Sequence, residues 1–127
     1  MAILGTGVDA VETPRIAKML ERWGDRFPQR AFTEQERAYC DRKKRGRAEC
    51  YAARWAAKEA AFKALGGGPG TKRWRDYEVL RDAAGRPSIV LSGAAQTAAE
   101  KLGVERLHLS LTHDGGVAVA FVVLEGG

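Results

Sequence analysis

The sequence predicts an α+β fold in which helices pack against an antiparallel sheet. Residues 50–65 form an alanine-rich run with helical spacing, and residues 107–112 and 117–124 read as two strands joined by a short glycine turn. The predicted elements follow the order β α α α β β α β β, which is not the regular alternation of a parallel α/β sheet. A chain of 127 residues with 45% hydrophobic composition fits one compact domain, residues 1–127.

Composition limits the kinds of partner and compartment. The net charge of +5 indicates an anionic partner. The basic residues are spread over several elements without an RNA-binding aromatic signature, so nucleic acid is not expected. The longest apolar run, residues 117–124, is too short to cross a bilayer and no secretion signal is visible, so we expect a cytoplasmic protein without membrane contact. Cys40 and Cys50 lack the spacing of a zinc site and are expected to be free thiols.

The chain opens with a predicted strand over residues 2–9. Gly5 and Gly7 would let another element pack closely against its backbone. The strand ends on Asp9, a position typical of a ligand-facing acid and equally of a turn or cap aspartate. Thr13 and Pro14 then predict the N-cap and first position of a helix.

This first helix is amphipathic and ends at Gly24. Its apolar face holds Ile16, Met19, Leu20 and Trp23. Basic residues cover the opposite face and the connection that follows: Arg15, Lys18, Arg22, Arg26 and Arg30. Taken alone, this pattern is most simply a solvated basic face.

Thr33 and Glu36 form a capping box that predicts a helix to about residue 44. A basic run over residues 41–47 surrounds Gly46, where we expect the helix to break before the central helix begins. An ordinary solvated turn is the simpler interpretation of this run as well.

The central helix, residues 50–65, carries the most informative acid. Trp55, Glu59 and Phe62 follow i, i+4, i+7 spacing, so a single carboxylate shares a stripe with two aromatic side chains. A buried carboxylate needs a cation, a metal or a proton, because an unpaired buried ion costs several kcal/mol. Lys63, one turn later, is the first candidate, and an ordinary i, i+4 pair worth about 0.2–0.5 kcal/mol explains the helix equally well.

The C-terminal half predicts a glycine loop, two hairpins and one helix. Residues 66–70 can bring backbone N–H groups to an anion, and the alternative interpretation is that Gly66 only ends the helix; the Walker pattern is absent. Residues 77–81 and 88–91 predict a hairpin, and Ser92 caps a helix over residues 93–102. Residues 113–116 turn the strand 107–112 back into 117–124, a strand expected to be central or buried at a subunit contact.

Metal-assisted transfer of a phosphorus group requires carboxylates to hold the metal and a cation to offset charge, and the chain offers Asp9, Glu59 and Lys63 for these roles. Mg²⁺ prefers hard oxygen ligands and commonly takes one or two carboxylates along with waters and phosphate oxygens. A lysine then offsets developing negative charge. Spacing alone identifies these three residues only as candidates.

Four segments resemble, in order and spacing, the small bacterial holo-[acyl-carrier-protein] synthase family of 4′-phosphopantetheinyl transferases. They are GTGVDAVETPRI, FTEQE, ARWAAKEAAFKALGGGPG and LHLSLTHDGGVAVAFVVLE. The resemblance implies the 4′-phosphopantetheinyl transferase fold. It also implies Mg²⁺-dependent transfer of the phosphopantetheine arm of coenzyme A to a serine of apo-acyl carrier protein, in support of fatty acid biosynthesis, with release of adenosine 3′,5′-bisphosphate.

The resemblance also implies roles for particular residues. Asp9 and Glu59 would ligate the metal, Lys63 would meet the pyrophosphate, and either Glu59 or a metal-bound water would take the serine proton. Positions that match the coenzyme site are Arg54, Lys63, Gly66, Gly68, Pro87 and His113. Positions expected to dock the acidic carrier protein are Arg15, Arg22, Arg26 and Arg30. The family is homotrimeric with active sites between subunits, which would bury the last strand.

The match is not complete, and other functions remain open. Trp55 stands where phenylalanine is usual, and Asp114, Gly115 and Gly116 replace a more polar turn, which puts any coenzyme contact of that turn in doubt. The acceptor could instead be a carrier domain of a polyketide or peptide synthase. A basic module that binds an acidic partner without catalysis is the alternative from another class.

Overall fold

The computed structural model describes all residues, Met1–Gly127. Every paired strand runs antiparallel to its neighbour, so the predicted α+β class is confirmed. The elements in chain order are β1 (Ala2–Glu12), α1 (Thr13–Trp23), α2 (Arg26–Ala31), α3 (Glu34–Asp41), α4 (Arg47–Leu65), a 3₁₀ turn (Trp74–Asp76), β2 (Tyr77–Arg81), β3 (Pro87–Leu91), α5 (Gly93–Leu102), β4 (Val104–Asp114) and β5 (Val117–Gly126).

The strands form two sheets rather than one. The larger sheet has the order β1-β5-β4, and β2 pairs with β3 in a separate hairpin. The prediction that residues 117–124 are central is confirmed, because β5 lies between the other two strands. One side chain of every two on β5 points inward and is buried, including Ala118, Ala120, Val122 and Leu124.

Helix α4 packs across this sheet and most closely against β1. Seven of its alanines are buried, and their small side chains allow a short separation between helix and strand. The strand contributes Gly5 and Gly7, where an added Cβ would collide with the carbonyl oxygens of Ala64 and Ala60. The expectation of close packing at these two glycines is confirmed.

A buried ion pair joins α4 to α3 and to the hairpin. Lys58 Nζ donates to Glu36 Oε1 at 2.8 Å and to the carbonyl oxygens of Trp74 and Tyr77 at 2.9 and 2.6 Å. Glu36 Oε2 accepts from the Val79 N–H at 2.9 Å, and both charged side chains have 0% exposure. The capping box at Thr33 is confirmed, but Glu36 serves the core as well as the cap.

The boundaries of several elements differ from prediction. Strand β1 continues to Glu12, which is therefore the N-cap of α1 in place of Thr13, and Pro14 takes the second helical position. The reason is that β1 stays paired with β5 until the Thr13 N–H bonds to the Gly116 carbonyl oxygen at 2.8 Å. Helix α2 lies where only a connection was predicted.

Two more elements near the basic run also shift. Helix α3 stops at Asp41, and α4 begins at Arg47, three residues earlier than predicted. Gly46 adopts a positive φ of 78° immediately before α4, so the predicted break occurs at this glycine.

The expectation of free thiols was wrong. Cys40 and Cys50 form a disulfide, with a Cα–Cα distance of 5.5 Å. Cys40 lies in the last turn of α3 and Cys50 in the first turn of α4, and the intervening turn folds these two helix ends against each other. Spacing along the chain could not show this proximity. No helix has the length and apolar character needed to cross a membrane.

Replacing Lys58 with Met tests the buried ion pair. Because Lys58→Met leaves the Glu36 carboxylate buried without its cation, we expect the free energy of unfolding to fall by about 3–5 kcal/mol. Urea denaturation at fixed protein concentration measures this loss. The exposed Lys101→Met variant is the control, and an equally small loss in both variants would contradict a structural role for the pair.

Candidate active site

The contact between β1 and α4 places Asp9 beside the polar side of α4. Lys63 Nζ donates to Asp9 Oδ1 at 2.9 Å and lies 3.3 Å from the Val8 carbonyl oxygen. The Lys63 side chain is 52% exposed, whereas that of Asp9 is only 12% exposed. The expected first partner of Lys63 was Glu59 on the same helix, and this is corrected: the lysine bonds across to the strand.

Glu59 therefore remains without a cation. No basic nitrogen lies within salt-bridge distance of its carboxylate, although the side chain is half-buried. Burial raises the pKa of the Glu59 carboxyl, and the nearby Asp9 carboxylate raises it further against the smaller opposing effect of Lys63. The hydrogen bond to Asp9 in turn raises the pKa of Lys63. Two acids and one lysine thus share a small region, with a surplus of negative charge at Glu59.

This donor set fits a hard divalent cation that is shared with a substrate. No cluster of three or more His, Cys, Asp or Glu side chains is present, so a closed protein cage for a metal is not formed. Mg²⁺ commonly takes one or two carboxylates and leaves its other positions to water and phosphate oxygens. Asp9 and Glu59 match that requirement, and a cation between them would relieve the burial and repulsion that raise the Glu59 pKa.

A basic cavity of about 360 Å³ lies at the opposite end of α4. It is lined by Arg54 and His113, two of the predicted coenzyme residues. Arg54 is 2% exposed, its Nε has no hydrogen-bond partner, and burial lowers its pKa. His113 lies on β4 rather than in the turn, with Nδ1 at 3.4 Å from a Glu49 carboxylate oxygen.

Three further cations line this cavity and were not assigned from the sequence. They are Lys43, Arg45 and Arg81. Lys43 and Arg45 belong to the basic run that was interpreted as a solvated turn. The signal was therefore visible in the charge pattern, but only the fold shows that this run faces Arg54 and His113.

The remaining predicted coenzyme residues lie elsewhere on this chain. Gly66 ends α4 with a positive φ of 80°, and Gly68 lines a separate cavity of about 410 Å³ against α5. Pro87 is the first residue of β3 and lines neither cavity. A single chain therefore brings Arg54 and His113 together, but not the two glycines or the proline.

The basic residues of the first two helices form a continuous surface. Arg15 and Arg22 line a shallow groove along α1. Arg26 and Arg30 line a larger cavity of about 660 Å³ that has no carboxylate in its wall. Met19 and Ala31 also line it, and its remaining lining residues are aromatic or basic side chains to which the sequence had assigned no binding role: Trp23, Phe27, Trp55, Lys72, Arg73, Trp74 and Arg75.

The placement of Trp23 corrects one expectation. It was placed with Ile16, Met19 and Leu20 on the apolar face of α1, but it is 48% exposed, and the Arg22 guanidinium lies 5.1 Å from its ring centroid. Trp55 and Trp74 pack edge to face at 5.1 Å and form part of the cavity wall. The cavity thus combines an apolar aromatic surface with five basic side chains.

Comparison with known proteins identifies the family. The 4′-phosphopantetheinyl transferase superfamily model matches residues 5–122. Holo-[acyl-carrier-protein] synthase of Anaeromyxobacter dehalogenans (strain 2CP-1) is 56% identical over 127 residues, covering 98% of this chain and 97% of that protein. The enzyme of the same name from Koribacter versatilis is 51% identical over 124 residues, covering 97% and 98% of the two chains.

Solved structures of similar proteins have the same fold. Holo-[acyl-carrier-protein] synthase of Neisseria meningitidis aligns with a TM-score of 0.88 and 32% identity, covering 98% of this chain and 99% of that one. The Chronobacterium ammoniagenes enzyme in complex with coenzyme A aligns with a TM-score of 0.83 and 33% identity, covering 100% and 99%. Fold, sequence and conserved length agree, and the chain belongs to the 4′-phosphopantetheinyl transferase superfamily.

Proposed function

We propose that this chain is a cytoplasmic holo-[acyl-carrier-protein] synthase. It transfers the 4′-phosphopantetheine arm of coenzyme A to a serine hydroxyl of the apo-acyl carrier protein of fatty acid biosynthesis. The observation that carries the proposal is the pair of carboxylates at the β1–α4 contact, with Lys63 bound to Asp9 and no cation on Glu59. Full-length relatives at about half identity bear the same enzyme name.

The reaction breaks the phosphoanhydride bond of the coenzyme and forms a phosphoester bond to serine. The serine oxygen bonds to the β-phosphorus of coenzyme A, and the bond from that phosphorus to the oxygen of adenosine 3′,5′-bisphosphate breaks. Glu59 is the carboxylate available to accept the serine proton, because Lys63 already occupies Asp9. Most of the remaining catalysis is positioning and charge neutralisation.

Asp9 and Glu59 would hold Mg²⁺, which when bound neutralises charge on the pyrophosphate oxygens. Lys63 would supply a second positive charge at the same pyrophosphate oxygens. Its hydrogen bond to Asp9 raises its pKa, so the ammonium stays charged at neutral pH. Its half-exposed side chain can meet negative charge that develops on the departing phosphate.

The basic cavity around Arg54 and His113 suits the phosphates of the coenzyme's nucleotide. Arg54 contributes a buried guanidinium with a donor to spare, and Lys43 and Arg45 add positive charge at the rim. Gly66, Gly68 and Pro87 stay assigned to the coenzyme by resemblance.

The surface of α1 and α2 would dock the carrier protein. Arg15, Arg22, Arg26 and Arg30 present positive charge beside the aromatic cavity, which can receive an apolar side chain of an acidic partner. Lys72 extends this surface toward the acids, because its charge acts on the Glu59 carboxyl. A carrier bound here would approach the site from the side of α1.

We also propose a homotrimer. The outer face of the three-stranded sheet carries an apolar stripe along β5, formed by Val117, Val119, Phe121 and Val123, whereas β4 presents polar side chains beside it. Val8 and Phe121, which are cross-strand partners, are 55% and 46% exposed. Burial of this apolar surface between subunits would remove it from water.

Light scattering on active protein should give three times the chain mass, and a monomer with full activity would contradict the assembly.

The transferase activity is tested by mass spectrometry. Apo-acyl carrier protein incubated with coenzyme A, Mg²⁺ and this chain should gain the mass of one phosphopantetheine group. Asp9→Ala and Glu59→Ala should each reduce the gain below detection while circular dichroism stays unchanged, and Glu100→Ala on α5 is the matched control. Absence of any gain with the unmodified chain would favour a basic binding module, and full activity of either variant at saturating Mg²⁺ would exclude the metal-site hypothesis.

Carrier docking is tested by charge reversal on α1. Arg15→Glu with Arg22→Glu should raise the KM for the carrier protein far more than the KM for coenzyme A, because like charges would face each other at the interface. The effect should be largest at low salt, where screening is weakest. Arg86→Glu with Lys101→Glu gives the same charge change elsewhere. An unchanged carrier KM, or equal changes for both substrates, would place docking on another surface.

A further inference from the structure

We propose that the Cys40–Cys50 disulfide is a redox modification site that controls how tightly the basic cavity binds its anionic ligand. The inference rests on the proposed function in one respect, that this ligand is the nucleotide end of coenzyme A. The bond joins the last turn of α3 to the first turn of α4 across a sequence separation of 10 and closes the segment 41–49. That segment forms one wall of the cavity.

The closed segment carries the cavity's most adjustable cations. Lys43 and Arg45 both line the cavity, and residues 42–46 lie outside any helix or strand. Their other restraints are noncovalent. The Lys43 N–H bonds to the Cys40 carbonyl oxygen at 3.2 Å, and Lys43 Nζ lies 5.1 Å from the Tyr39 ring centroid. Asp41 accepts a 2.7 Å hydrogen bond from the hydroxyl of the buried Tyr51 and pairs with Arg47 at 2.9 Å on the surface. Surface ion pairs restrain a chain weakly, so the disulfide is the one covalent anchor of this wall, with the Tyr51–Asp41 hydrogen bond beside it.

The disulfide also touches the fixed cation of the cavity. Arg54 Nη1 donates to Cys50 Sγ at 3.2 Å, and its guanidinium lies 4.4 Å from the ring centroid of Tyr39. Cys50 is itself part of the cavity wall, whereas Cys40 is fully buried. Cys50 is 7% exposed and Cys40 0%, so the cavity is the side from which a small reductant would approach the disulfide, and a bound ligand would cover the same approach.

The reductant is a small dithiol. One of its thiolates attacks Cys50 Sγ and forms a mixed disulfide, and Cys40 leaves as a thiolate that takes up a proton. The second thiol of the reductant then attacks its own sulfur in the mixed disulfide, and Cys50 leaves and is protonated. Two electrons and two protons have moved to the cysteines, and the reductant has become a cyclic disulfide.

Reduction releases the segment that holds Lys43 and Arg45. The cavity must then order these side chains when an anion binds, and that ordering is subtracted from the binding free energy. The coupling is reciprocal, so a bound ligand must disfavour reduction by the same factor by which reduction weakens binding. Ligand affinity and the state of the cysteines are thus two readouts of one coupling.

Adenosine 3′,5′-bisphosphate is the appropriate probe, because it has no thiol that could exchange with the disulfide. Calorimetry compares the oxidised chain with the dithiol-reduced chain after the dithiol has been removed, and intact mass verifies each state. The dissociation constant for the nucleotide should be at least about fivefold higher after reduction, because fivefold is the lower end of typical couplings between linked sites. In a dithiol redox buffer, the same ligand should shift the equilibrium toward the disulfide by a matching factor.

The Cys40→Ser/Cys50→Ser variant is the matched control. It should bind the nucleotide as the reduced chain does and should not respond to dithiol. If this variant does not fold, the comparison of oxidised and reduced wild-type chain decides alone. Equal affinity in the two states, free thiols in the chain after oxidation, or a dithiol response in the variant would each overturn the inference. Transfer activity with equal affinity in both states leaves the proposed function intact, whereas loss of binding and transfer in both states would remove both proposals.

Discussion

The close backbone contact between β1 and α4 is the constraint on which the rest of the structure depends. Gly5 and Gly7 have no side chains, so the carbonyl oxygens of Ala64 and Ala60 can lie directly against the strand. Asp9 follows two residues after Gly7, where it reaches Lys63 on the same helix. The candidate site is therefore a product of packing: an acid from the strand and an acid and a lysine from the helix are fixed relative to each other by absent and small side chains.

The polar side chains of α4 lie on two sides of the helix and leave the face that contacts β1 to small alanine side chains. Lys58 turns inward to Glu36 and two carbonyl oxygens, while Glu59 and Lys63 lie on the side of the helix next to Asp9 of β1. The inward pair connects the helix to α3 and to the β2–β3 hairpin, so displacement of α4 would disturb a satisfied buried network. In its N-terminal half the same helix carries Cys50 and Arg54, which belong to the basic cavity. One helix thus relates the acids, the core and the anion-binding wall.

The sequence predicted what depends on local pattern and missed what depends on distant contact. The glycines of β1, the capping box at Thr33 and the central position of β5 follow from spacing that is visible along the chain. The partner of Lys63 was wrong because the i, i+4 rule considers one helix only, and the strand offered Asp9 instead.

The buried ion pair and the disulfide were missed for a related reason. Lys58 is surrounded in sequence by alanines, which show that the helix is buried but not that Glu36, twenty-two residues away, lies opposite. The contact of Cys40 with Cys50 depends on how two helix ends fold together, so composition and compartment could not reveal it.

The most direct test of the account is the transfer rate of Gly7→Ala compared with that of Glu100→Ala, an exposed residue of α5 outside the site and the proposed interface. The account predicts that the folded Gly7→Ala variant loses about a hundredfold in rate, because an added methyl group must push Asp9 away from α4 and a shift of about 1 Å at a reacting site costs that much; equal rates in the two variants would contradict it.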